Sequence, residues 1–185
     1  ARLEVAGTAD ALALDDVAYA GRRALAEVMD VDEESVRRAL GAVPGTEVTV
    51  TGAAARLAAD LRVLTGADPG ALRPGDHLLL PAPTADPEGR PIADWARTDP
   101  LLRFVDLRQV SVGLGPAADA EAVDPPPWAA TVAQAEAAGW RVLAWTADQR
   151  TVLAYRERDG VRALALGVHP TQTDLVFRTA FPTLM

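Results

Sequence analysis

The sequence predicts an α+β fold, with a helix-rich N-terminal half and a C-terminal helix followed by an antiparallel β-meander. Three observations carry this. Between Asp15 and Leu40 apolar side chains recur at helical spacing. From Trp140 onward apolar and polar residues alternate with a period of two between hairpin signals. Pro81, Pro83, Pro87, Pro91 and Pro100, with Gly89, interrupt the chain near its middle.

In chain order, Val17, Leu25, Val28 and Met29, then Val31, Val36, Ala39 and Leu40, set out two helices. They break at Asp30-Val31-Asp32, where Asp32 caps the second helix and Glu33 and Glu34 put negative charge in its first turn. Pro44-Gly45 turns the chain into a short strand, Glu47 to Thr51, whose branched side chains alternate. Another helix is expected from Ala53 to Leu64, stopping before Gly66. Turn material from Asp68 to Asp76 leads into a strand, His77 to Leu80.

Missing backbone donors over residues 81 to 100 predict a stretch without regular structure. The chain therefore divides into a helix-rich subdomain 1–82 with two short strands, a proline-rich linker or loop 83–100, and an α+β antiparallel-sheet subdomain 101–185. In the last of these, Leu102 to Leu114 reads as a long strand with a bulge: Val105 and Leu107 fall on one alternation phase, and Val110, Val112 and Leu114 on the other. Pro125-Pro126-Pro127 precedes a helix from Trp128 to Ala138 that Gly139 ends. Four strands follow, Arg141 to Thr146, Thr151 to Arg158, Val161 to Val168 and Asp174 to Phe181, with Asp159-Gly160 supplying the positive φ a tight hairpin needs.

Composition bounds the function. The 185 residues are 49% apolar but only 5% aromatic, so the core is expected to consist of small aliphatic side chains anchored by Trp95, Trp128, Trp140 and Trp145. Without cysteine there is no disulfide, thiolate nucleophile or cysteine-held metal, and the compartment stays open, cytoplasmic or exported. Arginines and acids punctuate every apolar segment, so no run reaches the roughly 18 residues a membrane helix needs. Every one of the 18 basic residues is arginine, which with the alanine excess reflects a GC-rich genome. A net charge of −8 argues against nucleic acid or anionic lipid as a non-specific partner, since both are held by neutralising phosphates.

Two stretches resemble known families. Arg23 to Leu40 looks like the helix-turn-helix of bacterial repressors, with Val31 at the turn and Ser35-Val36-Arg37-Arg38 on the recognition helix, which would imply DNA binding by residues 22–40. Asp32, Glu33 and Glu34 stand at the end that would enter the groove, where their field opposes a phosphate backbone. Leu72-Arg73-Pro74-Gly75-Asp76-His77-Leu78-Leu79-Leu80-Pro81 resembles the closing half of a lysin motif, and residues 46–82 its whole span. That family is a small β-α-α-β module that binds N-acetylglucosamine polymers. Thr51-Gly52-Ala53-Ala54 stands where its opening Gly-Asp-Thr belongs. The resemblance implies peptidoglycan or another glycan as ligand, with Arg73, Asp76 and His77 as candidate binding residues.

His77 and His169 are the only imidazoles, and their spacing from carboxylates matches no metal-site pattern. His169 stands in a turn beside a meander in which residues 140–185 carry six arginines against four acids. His169, Arg156, Arg162 and Arg178 are therefore the candidate catalytic set of a small phosphodiester hydrolase, an endoribonuclease-like arrangement of acid, base and phosphate clamp. The common nucleotide, hydrolase and metalloprotease signatures are absent, and no cofactor is implied. The polar chemistry is thin, so the reading placed first is a non-catalytic binding or interaction protein of a bacterium, with a protein or a glycan as partner. The hydrolase comes second and DNA binding third.

Overall fold

His77, Leu78, Leu79 and Leu80 each keep 3% or less of their exposure. A strand buried on both of its faces lies in the middle of a covered sheet. The computed structural model describes residues 2–4, 17–19, 24–28, 34–43, 46–50, 59–83, 89–113 and 124–177, and it builds such a sheet. The strands are β1 (Arg2–Glu4), β2 (Val17–Tyr19), β3 (Ala24–Val28), β4 (Thr46–Val50), β5 (Leu61–Thr65), β6 (Gly75–Leu80), β7 (Arg90–Trp95), β8 (Ser111–Val112), β9 (Arg141–Thr146), β10 (Thr151–Arg158) and β11 (Val161–Leu166). The two α-helices among the described residues are α1 (Glu34–Gly41) and α2 (Val132–Ala137). β1 and β2 pair with each other, and the other nine strands lie in the order β4-β3-β5-β6-β11-β10-β9-β7-β8. Pairing is parallel from β4 to β11 and antiparallel from β11 to β8.

This mixed sheet overturns the expected α+β class with its helix-rich first half. Of the two helices expected between Asp15 and Leu40, only α1 forms, and Val17–Tyr19 and Ala24–Val28 are strands. Ala, Leu and Glu favour a helix by only tenths of a kcal/mol each. β3 instead satisfies its backbone groups on both sides, against β4 and β5. Leu61–Thr65, the end of the helix expected from Ala53, is β5, with Val63 buried at its centre; residues 51–58 lie outside the described part. The segment 83–100, expected as a linker or loop, contains β7. Pro91 is tolerated there because β7 lies one strand from the sheet edge and meets only the two-residue β8 at that point.

The long strand expected from Leu102 to Leu114 reduces to β8. Leu102, Val105, Leu107 and Val110 are buried, but turns place them, and their two alternation phases are loop spacing rather than a bulge. The fourth meander strand is replaced by a 3₁₀ turn at Asp174–Phe177, and residues beyond 177 lie outside the described part. β9, β10 and β11 run antiparallel where the meander was expected, and α2 lies within the helix expected before them.

Alternation sends the two faces of the sheet into separate cores. On one face Leu78, Leu80, Leu143, Leu153 and Leu166 pack with Val36 and Leu40 of α1 and with Leu102, Val105 and Leu107. On the other, Leu79, Ala154, Ala163 and Ala165 pack under Trp128, Ala135 and Trp140. Alanine floors this second core because the two indoles, 5.6 Å apart and tilted by 47°, take up its volume. No helix among the described residues is long and apolar enough to cross a membrane.

Candidate functional site

The parallel pairing of β6 with β11 joins two residue sets that the sequence assigned to different sites. Val161 lies opposite Gly75, Arg162 opposite Asp76 and Ala163 opposite His77. The Gly75 amide donates to the Gly160 carbonyl at 2.9 Å, so the Pro74-Gly75 turn and the Asp159-Gly160 hairpin tip form one end of the sheet. Arg73, Asp76, His77, Arg156 and Arg162 all stand at this end.

Register then divides them between faces, because residues opposite one another point the same way. One row across β6, β11 and β10 is Asp76, Arg162 and Glu157. Arg162 grips Asp76 with two bonds, Nε to Oδ1 at 2.6 Å and Nη2 to Oδ2 at 2.7 Å. The Tyr155 hydroxyl donates to Glu157 at 3.0 Å, and burial, then that carboxylate, pushes its pKa up. Arg141 lies 5.1 Å from the centre of the Tyr155 ring and pairs with Asp99 at 2.9 Å. The result is a belt of alternating charge, each ion already opposite a counter-ion.

The next row, on the other face, runs from β5 to β10 as Arg62, His77, Ala163 and Arg156. His77 is 3% exposed, and its Nε2 lies 2.8 Å from the Arg73 carbonyl oxygen, which only accepts. Nε2 therefore carries the ring proton, and Nδ1, buried and with no hydrogen-bond partner among the described residues, presents its lone pair. The Arg156 guanidinium lies 4.7 Å from the centre of the Trp140 ring and donates to the Pro69 carbonyl at 2.9 Å. Burial pushes its pKa below the ordinary arginine value, and Arg158 adds to that. Arg73 is exposed, and its side chain has no partner among the described residues.

The remaining candidates lie elsewhere. His169 stands three residues beyond the end of β11, whereas Arg162 is the second residue of that strand, so about 13 Å of strand runs from Arg162 to Leu166 before the turn to His169 begins. His169 is buried, caps the 3₁₀ turn Pro170–Gln172 and has Nδ1 2.7 Å from the Thr171 hydroxyl. Arg178 lies outside the described residues. Arg156 and Arg162 point to opposite faces, so they form no common clamp. The helix-turn-helix over 22–40 lacks its first helix, because Ala24–Val28 is β3. In the lysin-motif-like segment, β5 occupies the place of the second helix and lies parallel to β6.

The turn from Asp99 to Val105 was not singled out in the sequence. Asp99 accepts from the Leu101 amide at 3.0 Å, Pro100 opens the turn, and the Leu102 and Val105 amides close onto the Asp99 and Leu102 carbonyls. Leu102 and Val105 are buried beneath it, which leaves Leu101 42% and Phe104 79% exposed. Arg103 lies 5.4 Å from the Phe104 ring centre, and Arg97 lies 4.2 Å from that of Trp95. The only sequence signal was Leu101-Leu102 followed by Phe104 without alternation, which does not distinguish inward from outward residues. No protein-family model matches the chain, and no curated protein matches it.

Proposed function

We propose that this chain is a non-catalytic interaction module that engages a protein partner through the Asp99–Phe104 turn. The exposure of Phe104 carries the reading. An isolated exposed aliphatic residue is ordinary. A phenyl ring 79% exposed beside Leu101 and Arg103, on a turn held by capped backbone and by the Asp99–Arg141 ion pair, has the aromatic and arginine composition of binding hot spots. A fixed turn loses little further entropy on binding. The polar groups at the sheet end favour the same reading, since Asp76, Arg162, Glu157, Arg141 and Asp99 are spent on one another rather than converging on a substrate.

Replacement of Phe104 by a photo-crosslinking phenylalanine analogue in the source cell is expected to give one discrete protein adduct. The same analogue at Arg158, on the exposed hairpin, is expected to give none. Equal labelling at both positions, or no adduct at 104, overturns the reading. A glycan partner is a second reading, favoured by the exposed Arg73 at the start of the lysin-motif-like stretch. It requires retention on insoluble peptidoglycan that Arg73→Ala abolishes.

A further inference from the structure

The chain carries a net charge of −8, yet around the Phe104 turn the surplus charge is positive. Residues 94–108 hold three acids and three arginines, and Arg141 joins them from β9. Asp94 accepts from the Trp95 amide at 2.8 Å and pairs with Arg97 at 3.5 Å. Asp99, its side chain only 9% exposed, accepts from the Leu101 amide at 3.0 Å and pairs with Arg141 at 2.9 Å. Asp106 accepts from both Nε and Nη2 of Arg108. Each acid thus has an arginine of its own, and Arg103 is left over. Its guanidinium lies 5.4 Å from the Phe104 ring centre and has no carboxylate partner among the described residues. Arg103, Phe104 and Leu101 are all exposed, while Leu102 and Val105 between them are buried.

The turn therefore offers an apolar surface with one uncancelled cation at its centre. A guanidinium matches a carboxylate through two parallel bonds, and a ring beside it keeps water from competing for them. We propose that the protein partner docked at this turn, on the reading given above, presents an acidic segment in which an Asp or Glu flanks an apolar side chain. The carboxylate meets Arg103, and the apolar side chain meets Phe104 and Leu101. A phosphorylated segment calls for a cluster of arginines, whereas Arg97, Arg108 and Arg141 already hold carboxylates. An anionic bilayer likewise needs several basic side chains together. In a two-fold contact between copies the same patch meets itself, which would bring Arg103 toward Arg103.

The full chain with the photo-crosslinking phenylalanine analogue at 104 is titrated into lysate of the source cell, and the concentration giving half of the maximal adduct is read. Arg103→Gln is expected to raise it about fivefold, and Arg103→Glu about tenfold or more. High salt should weaken capture by the Arg103 chain and leave Arg103→Gln nearly unchanged. Mass spectrometry of the adduct should place the crosslink within a few residues of an Asp or Glu. Arg103 is exposed, so an unchanged thermal midpoint is expected for both variants. Equal capture by Arg103→Glu, or a crosslink in a segment without acids, overturns the proposal. Loss of the adduct after phosphatase treatment of the lysate, or an adduct of twice the chain's own mass, does so as well. In each of these cases the turn still docks a protein. Absence of any adduct at 104 overturns the docking reading and this proposal with it, as does retention on phosphatidylglycerol vesicles that Phe104→Ala abolishes.

Discussion

Gly167 shows how one missing β-carbon is built into the sheet. Its amide donates to the Val152 carbonyl at 2.8 Å, and a β-carbon at this position would overlap the Thr151 carbonyl oxygen. Backbone, unlike the end of a flexible side chain, has nowhere to retreat, so β10 or β11 has to move. Gly167→Ala is therefore expected to destabilise the protein by about 3 kcal/mol, at the upper end of overpacking costs, read as a lowered midpoint in urea at unchanged slope. A second residue-scale effect lies at Asp106. Arg108 donates to it from Nε at 3.0 Å and from its backbone amide at 3.0 Å, and these bonds hold its carboxyl at about 2 instead of 3.8. A folded value below the unfolded one means the contribution is present above the ordinary carboxylate pKa and disappears as pH falls through about 2. The pair is exposed to solvent, so the readout is the titration itself: a ¹³C carboxyl midpoint near 2 that rises toward 3.8 in Arg108→Ala.

At the scale of elements, cross-strand pairing decides what the sheet end does. Asp76 and Arg162 face each other on parallel strands with two bonds, yet both are more than a third exposed. A double-mutant cycle between Asp76→Asn and Arg162→Gln should give a coupling of about 0.5–1 kcal/mol that shrinks in high salt. A coupling indistinguishable from zero at low salt would show that the paired geometry is not maintained. The same pairing explains what was legible beforehand. β9, β10 and β11 could be read because period-two alternation and Asp159-Gly160 are local signals, and both turn positions take positive φ, 53° and 77°. β3 and β5 could not, because a five-residue apolar segment fits a helix or a parallel strand equally well until its neighbours are known. His77, Arg156, Arg73, Asp76 and Arg162 were all singled out from the sequence. Register, set by contacts 86 residues apart, placed them at one end and sorted them onto two faces.

For the molecule as a whole, the decisive contact is again β6 with β11, because it runs through the middle of the sheet and joins residues on either side of the proline-rich stretch. Leu78, Leu79 and Leu80 keep 2% or less of their exposure, and every other fully buried member of the cluster that holds Leu79, Ala163, Ala165 and Trp128 among them, lies beyond residue 82. Cut away from them, β6 becomes an open edge, with unpaired backbone groups and three leucines returned to water at roughly 1.5–3 kcal/mol each. A fragment of residues 1–82 is therefore expected to lack a cooperative thermal transition and to show narrow amide dispersion, although its length alone would permit a small domain. In the full chain, the tryptophan signal should report one transition together with the far-ultraviolet signal of the sheet, since all four tryptophans lie beyond residue 82 while β3 to β6 lie before it. Two separated transitions, or a fragment 1–82 that melts cooperatively, would mean that β6 holds its place without β11. The rows at the sheet end would then join two independently stable units, and Arg62 and His77 would stay fixed when Arg156 is lost.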